Sequence, residues 1–277
     1  MRVALLKALL FIAVAVVALI ATGPLVGLVA AITGTSGVPV WAYSGAFSVL
    51  LLTSTAAALV LDRTGFRSLG LVPTRERVRE CVFGFMVGAL LFAGLALVRG
   101  ARVEVAWTFA GPNGVATACV GVIIAFLLLL PEELLFRGYA FQRLVSAVGA
   151  WPGILISAVL FGVYHVVGSG MWGIGAFFQL AMPAVGGVVF GWTAVRTKGL
   201  ALPIGLHLGA NWVQASVLSF QPQSAVLPAT LWTARVTNLQ LRSLYAPDLG
   251  THVPFVATML LATMAVRVLL RSPKRTA

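Results

Sequence analysis

Charged side chains are scarce in this chain of 277 residues, of which only 9% are Asp, Glu, Lys or Arg. Soluble domains carry roughly a quarter charged residues, so the composition excludes a soluble globular fold. Acidic residues are the rarest, with seven Asp and Glu against 19 Lys and Arg. The basic excess does not indicate nucleic-acid binding, because the basic residues lie between apolar runs, as membrane-topology signals do.

Cysteine is also nearly absent. The two that occur, Cys81 and Cys119, have neither disulfide nor metal-ligand spacing. The chain also lacks the HExxH helix, the commonest zinc-protease pattern. The cysteines therefore indicate neither a disulfide framework nor a cysteine metal site, and the missing HExxH pattern leaves metal dependence open.

Hydrophobic residues make up 60% of the chain, in runs that match the roughly 20 residues of a membrane-spanning helix. We predict an all-α polytopic membrane protein, residues 1–277 forming a single membrane-embedded domain. About eight transmembrane helices are expected to enclose a mid-membrane polar cavity. The runs extend from Lys7 to Ile32 and over roughly 40 to 61, 81 to 98, 115 to 142, 151 to 167, 173 to 195, 200 to 220 and 253 to 270.

The first run has some features of a signal peptide, with a passable cleavage site at Ala21-Thr-Gly23. It continues past Pro24 to Ile32, which is longer than a signal peptide needs and favours a retained first span.

The basic residues predict the orientation of these spans. With both termini in the cytoplasm, fourteen basic residues lie inside and four outside, as the positive-inside rule requires. We therefore expect an integral multi-pass protein, of the plasma membrane if the chain is bacterial. The inside residues are Arg2, Lys7, Arg63, Arg67, Arg75, Arg77, Arg79, Arg143, Arg196, Lys198, Arg267, Arg271, Lys274 and Arg275, and the outside residues are Arg99, Arg102, Arg235 and Arg242.

Two connections stand out from the apolar runs. The segment from Asp62 to Glu80 mixes five arginines with apolar residues, so it is either an interfacial stretch on the inner membrane surface or a solvated basic loop. On the outer side, Gln221 to Gly250 is the longest connection and could cap the bundle. Close helix approach is allowed by GxxxG spacings at Gly23/Gly27, Gly84/Gly88, Gly187/Gly191 and Gly205/Gly209.

Ionisable residues occur inside the spans, where each costs at least about 2.5 to 3.5 kcal/mol and needs a partner or a function. Counted along each helix from its inner boundary, three of them lie about 14 to 21 Å deep, near the middle of a core about 30 Å thick. The residues are Glu132, Glu133 and Arg137 in the fourth run, His165 in the fifth, and His207 in the seventh, with the amide Asn211 one turn later.

Helical geometry separates the two glutamates. Glu133 and Arg137 are four residues apart and share a face, so they are expected to form an ion pair. Glu132 points about 140° away from Arg137 and is left for the cavity. His207 and Asn211 are also four residues apart and project together.

This polar cluster is compatible with three chemistries. Glu132 and His165 could activate water against an amide bond, with His207 and Asn211 stabilising the oxyanion. Alternatively, Glu132, His165 and His207 could bind a divalent metal such as zinc. A transporter could also use the cluster to relay protons or bind a substrate.

Three segments of the sequence carry a specific resemblance. They read Glu132-Glu133-Leu-Leu-Phe-Arg137, Phe161-Gly-Val-Tyr-His165 and His207-Leu-Gly-Ala-Asn211, and they resemble the signatures EExxxR, FxxxH and HxxxN of the CPBP family. This is the family of CAAX-protease and bacteriocin-processing membrane proteins, also called ABI. The catalytic core that resembles it covers roughly residues 115 to 220.

The resemblance implies an eight-helix intramembrane endopeptidase, similar to the CAAX prenyl proteases. It implies that Glu132 activates water with His165, that His207 and Asn211 stabilise the oxyanion, and that Glu133 and Arg137 orient the site. Family members are often labelled metalloproteases, but this glutamate mechanism needs no metal. We favour it and expect no cofactor, with zinc as the alternative.

The expected substrate arrives from the lipid, as a lipidated C-terminus or a transmembrane peptide. In a bacterium, the resemblance points to peptide maturation, bacteriocin self-immunity or membrane-protein regulation. The alternative function is a noncatalytic scaffold or transporter of the same fold, in which the polar cluster holds helices together. We expect membrane lipid as a partner and no nucleic acid.

Overall fold

A computed structural model of the chain describes residues 1–35, 38–102, 105–169, 173–219, 230–236 and 249–271. Within these ranges the chain forms nine α-helices and three short strands. The helices are α1 (Arg2–Thr33), α2 (Val40–Leu61), α3 (Arg75–Arg102), α4 (Gly111–Arg137), α5 (Tyr139–Val148), α6 (Ala150–Ser169), α7 (Ile174–Thr197), α8 (Ala201–Trp212) and α9 (Leu249–Arg271). The strands are β1 (Val105–Phe109), β2 (Leu218–Ser219) and β3 (Trp232–Val236).

The all-α membrane fold expected from the composition is confirmed. Six helical segments in the described ranges are long and apolar enough to cross a bilayer, and they correspond to the first six predicted runs. Helix α8 has only 12 residues and continues as a π-helical turn over Val213–Val217. In α9 the apolar part covers Pro254–Val268. The total of eight crossings stays a prediction.

The fourth run, predicted as one continuous span over 115 to 142, is instead two helices. Helix α4 ends at Arg137, and Gly138 breaks the helix with a backbone φ of −75° and ψ of −140°. A Cβ atom at this position would lie 2.1 Å from the carbonyl oxygen of Leu134, so only glycine fits. The prediction missed this break because the run is apolar on both sides of it.

Helix α6 packs back along both halves of this kinked arm. Gly153 lies against Val145 of α5, where an added Cβ would approach the valine to 2.8 Å. Four residues further along α6, the Ser157 hydroxyl donates a hydrogen bond of 2.7 Å to the carbonyl of Phe136 in α4. The second half of α6, which contains His165, therefore runs along the last turns of α4.

Helices α3 and α8 interlock through two of the predicted GxxxG motifs. A Cβ atom at Gly84, Gly88, Gly205 or Gly209 would lie only 2.1 to 2.6 Å from a carbonyl oxygen of the opposite helix. Glycine is required at these positions because the two backbones are in direct contact. This close approach fixes the position of α8, which carries two of the predicted site residues.

Of the other two GxxxG motifs, one lies at a helix contact and one does not. Gly187 lies against Ala158 of α6, with an added Cβ 2.9 Å from the alanine Cα. By contrast, no atom of the described residues lies within 4 Å of a Cβ added to Gly23 or Gly27 in α1. Spacing alone did not distinguish the contact-forming motifs from the first one.

A small sheet, not predicted from the sequence, lies beside the N-terminal end of α4. Its order is β1-β3-β2, with β1 antiparallel and β2 parallel to β3. Of the connection Gln221 to Gly250, the structure describes residues 230–236, which contain β3, and residues 249–250, which begin α9. The predicted topology residues Arg242, Lys274 and Arg275 lie outside the described residues.

At the opposite end of the bundle, Asp62 ties three helices together. It follows α2, forms an ion pair with Lys7 of α1, and accepts a hydrogen bond of 2.8 Å from the Tyr139 hydroxyl of α5. The Arg143 Nε lies 3.6 Å from the same carboxylate. The hydrogen bond from Lys7 is the main cause that lowers the pKa of Asp62, assisted by Tyr139 and Arg143 and opposed by burial. Helix α1 is thus part of the packed bundle.

Candidate active site

The residues expected to form the site come from the last turns of α4, the second half of α6 and the middle of α8. Helix α4 packs against both of the other helices. The glycine contacts with α3 fix the position of α8. The hydrogen bond from Ser157 to Phe136 joins α6 to α4.

The expected ion pair between Glu133 and Arg137 is confirmed. Arg137 Nη1 lies 3.3 Å from Glu133 Oε1, and both side chains are 0% exposed. The guanidinium carbon of Arg137 also lies 4.3 Å from the centre of the Phe161 ring and 5.2 Å from that of Phe190. The arginine is therefore enclosed by one carboxylate and by aromatic rings, which attract a cation.

His207 lies between the two glutamates, a connection that the sequence did not reveal. Its Nδ1 donates a hydrogen bond of 2.8 Å to Glu133 Oε1, and its Nε2 lies 3.8 Å from Glu132 Oε2. The bond to Glu133 fixes the orientation of the imidazole ring. The same carboxylate oxygen thus holds both Arg137 and His207.

Glu132 is the more accessible of the two carboxylates, with 18% of its side chain exposed. It accepts no hydrogen bond from the described residues, and both His207 and His165 are near enough to interact with its charge. At 3.8 Å, Glu132 Oε2 and His207 Nε2 are too far apart for a direct hydrogen bond. One water molecule beside them could contact both atoms.

His165 is held by its own helix. Its Nδ1 lies 2.9 Å from the carbonyl oxygen of Phe161, which can only accept, so Nδ1 carries the hydrogen. In the neutral ring Nε2 is then left as a hydrogen-bond acceptor. The Phe161 ring meets the imidazole edge-on, with centroids 4.5 Å apart, and this contact restricts its rotation.

Asn211 is half-buried one helical turn after His207, and its amide forms no hydrogen bond with the described residues. Its position on α8 agrees with the expected shared face. Its role in oxyanion stabilisation stays a prediction.

Phe190 is a site residue that the sequence analysis missed. Its ring stacks on the imidazole of His207, with centroids 4.8 Å apart and planes inclined by 19°, and it also covers Arg137. It lies in α7, a mostly apolar helix without a predicted site residue, so no sequence signal distinguishes it from the other apolar residues of that helix.

A metal site would need several His, Cys, Asp or Glu side chains around one point. Within the described ranges, no three His, Cys, Asp or Glu side chains converge in a way that could hold a metal ion. A catalytic zinc needs three protein ligands. The geometry therefore does not support the alternative ligand set of Glu132, His165 and His207.

Comparison with known proteins identifies the segment that contains all of these motifs. Residues 114–213 match the family model described as Rce1-like, Type II CAAX prenyl endopeptidase Rce1-like. No curated protein and no solved structure matches the chain. The matched segment begins near the start of α4 and ends just after α8.

Proposed function

Over residues 114–213 the chain belongs to the CAAX-protease (CPBP) family, and on this premise we propose that it is an intramembrane endopeptidase that uses a glutamate-activated water. The observation that carries the proposal is the position of Glu132. Its carboxylate accepts no hydrogen bond from the described residues and lies 3.8 Å from His207, next to a second glutamate that is paired with Arg137.

In the proposed reaction, Glu132 and His165 activate a water molecule. Glu132 accepts a proton as the water oxygen attacks the carbonyl carbon of the scissile peptide bond, and the proton then passes to the leaving amine. His165 supports this step because its Nδ1 is bonded to the Phe161 carbonyl, which leaves Nε2 to accept a hydrogen bond from the water.

His207 and Asn211 are proposed to stabilise the oxyanion. The hydrogen bond of 2.8 Å from Nδ1 to Glu133 fixes the ring with Nε2 on the side of Glu132, and donation to the oxyanion requires a hydrogen on Nε2 as well. Glu133 and Arg137 are thus positioning residues, because they act through His207 and not on the substrate.

The location of the site among apolar helices supports a substrate that arrives from the lipid. We propose a lipidated C-terminal peptide or a transmembrane segment. No step of the proposed reaction requires a metal.

The proposal is tested by cleavage of a quenched fluorescent lipopeptide by the purified, detergent-solubilised protein. Glu132→Gln and His165→Ala should each lower kcat/KM by about 100-fold to 10,000-fold, the range of general acid–base catalysis. Asn211→Ala should lower it by about 100-fold to 1,000-fold, as removal of an oxyanion donor does. Glu76→Gln, which changes an exposed carboxylate at the end of the bundle, is the matched control and should retain full activity.

A chelator should leave wild-type cleavage unchanged. Loss of cleavage with the chelator, restored by zinc, would overturn the metal-free mechanism. If the well-folded wild type cleaves no member of a lipopeptide and membrane-peptide library, the noncatalytic scaffold becomes the better explanation.

A further inference from the structure

Two chain segments meet at the end of the bundle that the positive-inside rule assigns to the cytoplasm. One is the connection between α2 and α3, and the other is the turn between α7 and α8. The Leu200 N–H donates a hydrogen bond of 3.0 Å to the Leu69 carbonyl. Gly70 and Gly199 are in backbone contact, since a Cβ on Gly70 would lie 2.6 Å from the Gly199 Cα.

Arg77 fastens these two segments together. Its Nη1 donates hydrogen bonds to the Thr197 carbonyl at 2.9 Å and to Glu80 at 2.7 Å, and its Nη2 lies 3.4 Å from the Lys198 carbonyl. Basic residues that are far apart in the sequence are therefore brought onto one surface.

The acidic residues of this end are mostly neutralised. Asp62 is 6% exposed and bonded to Lys7, and the Glu80 carboxylate is 15% exposed and bonded to Arg77. Of the three acidic residues between 62 and 80, only Glu76 is exposed.

The cations on the same surface are exposed. We call these six residues the cation face, namely Arg63, Arg67, Arg75, Arg79, Arg196 and Lys198. In the connection between α2 and α3, the apolar side chains point inwards, since Leu69 is 1% exposed and both Phe66 and Leu71 pack against the core. In the first turns of α3, Val78 is 51% exposed between Arg75 and Arg79, so the surface presents mainly, but not only, positive charge.

We propose that the cation face binds the anionic headgroups of phospholipids in the adjacent leaflet. The face lies where α2 ends and where α3 and α8 begin, which is the level at which headgroups meet the ends of spanning helices. A topology signal requires only basic residues in the loops, whereas here two loops are joined, and two of the three acidic residues between 62 and 80 are paired with cations. A basic residue near an anionic membrane surface contributes about 1 kcal/mol, which corresponds to about fivefold in association.

The test uses the full chain reconstituted in phosphatidylcholine vesicles that contain spin-labelled lipid. Electron paramagnetic resonance gives the association constant of labelled phosphatidylglycerol relative to labelled phosphatidylcholine. The wild type should prefer phosphatidylglycerol, and Arg67→Gln with Lys198→Gln, one change in each segment, should lower the ratio at least fivefold. The matched Arg67→Lys variant keeps the charge and should retain the ratio.

A second control removes a cation that lies on the same side but outside the face. Arg2→Gln, at the start of α1, should lower the ratio clearly less than the double variant does. An equal loss in Arg2→Gln and in the double variant would overturn the proposal, because the preference would then reflect overall charge only.

The wild type alone provides a further test that does not depend on the folding of a variant. Raising the salt from about 0.01 M to about 1 M shortens the screening length from about 30 Å to about 3 Å, so the preference for phosphatidylglycerol should fall severalfold. A wild type without this preference, or with one that salt leaves unchanged, would also overturn the proposal. Because the assay contains no peptide substrate, its outcome is separate from that of the cleavage assay.

Discussion

Glu132 and Glu133 are adjacent in the sequence, and the same substitution at each should have opposite consequences. Glu133 is completely buried, and a single oxygen of its carboxylate contacts both Arg137 and His207. Glu132 is partly exposed and accepts no hydrogen bond from the described residues. The matched variants Glu133→Gln and Glu132→Gln change one oxygen for an NH₂ group at neighbouring positions.

The expected changes in unfolding free energy depend on whether each substitution leaves a buried charge without a partner. Glu133→Gln leaves Arg137 charged and buried without its counter-ion, which costs about 3 to 5 kcal/mol of unfolding free energy. The glutamine oxygen can still accept a hydrogen bond from His207, so we expect the lower part of this range. Glu132→Gln leaves no partner unpaired and should change the stability by less than about 0.5 kcal/mol, or raise it slightly if this carboxylate is kept for activity.

Unfolding free energies in mixed detergent micelles, followed by circular dichroism, provide the measurement. A third variant, Glu133→Gln with Arg137→Met, removes both charges and should recover most of the stability lost in the single variant, because a buried ion pair can be replaced by neutral groups at little cost. Activity should be lost in Glu132→Gln although it is stable.

Equal destabilisation by the two single variants would refute this reasoning, since it depends on the different environments of the two carboxylates. So would a double variant that is no more stable than Glu133→Gln alone, because the unpaired charge of Arg137 would then not be the cause of the loss.

Three further predictions concern Phe190 and two contacts that join helices of the bundle. Phe190→Leu removes the ring stacked on the α8 histidine and should lower kcat about tenfold with KM within about twofold in the lipopeptide assay, since an orienting residue acts on the chemical step; an effect on KM alone would contradict this role. Gly209→Ala forces a methyl group against the α3 backbone and should cost about 1 to 3 kcal/mol of unfolding free energy, whereas Gly27→Ala, in the motif with open space, should not destabilise; equal costs would contradict the α3–α8 contact. Because the hydrogen bond from the α1 lysine lowers the pKa of Asp62, its contribution is complete above the unfolded pKa of about 3.9 and disappears as the pH falls through the lower folded value. Asp62→Asn should therefore be less stable than the wild type in thermal unfolding at pH 7 and should approach it below about pH 4, and a difference independent of pH would contradict this explanation.

The local part of the site could be predicted because helical geometry depends only on sequence separation. Glu133 and Arg137 are four residues apart and therefore meet, and Glu132 is directed elsewhere. The same argument placed His207 and Asn211 on one face of α8. None of these inferences required knowledge of which helices are neighbours.

Contacts between helices could not be predicted in this way. The bond from His207 to Glu133 joins residues 74 positions apart, and Phe190 reaches the site from a helix with no predicted site residue. The helix break at Gly138 was missed because a backbone change leaves no trace in an apolar run. Likewise, four GxxxG spacings looked alike until packing showed which of them bring backbones together.

The sequence by itself determined the class of the molecule, because so few charges exclude a soluble fold and because ionisable groups within apolar runs require partners or a function. It also determined the candidate residues and their directions around each helix, which are local properties. The tertiary structure alone decided which groups are partners: His207 between the glutamates, Phe190 against His207, and two basic segments on one surface. Such choices depend on the packing of helices that are distant in the chain, and packing is fixed by the shapes of both surfaces together.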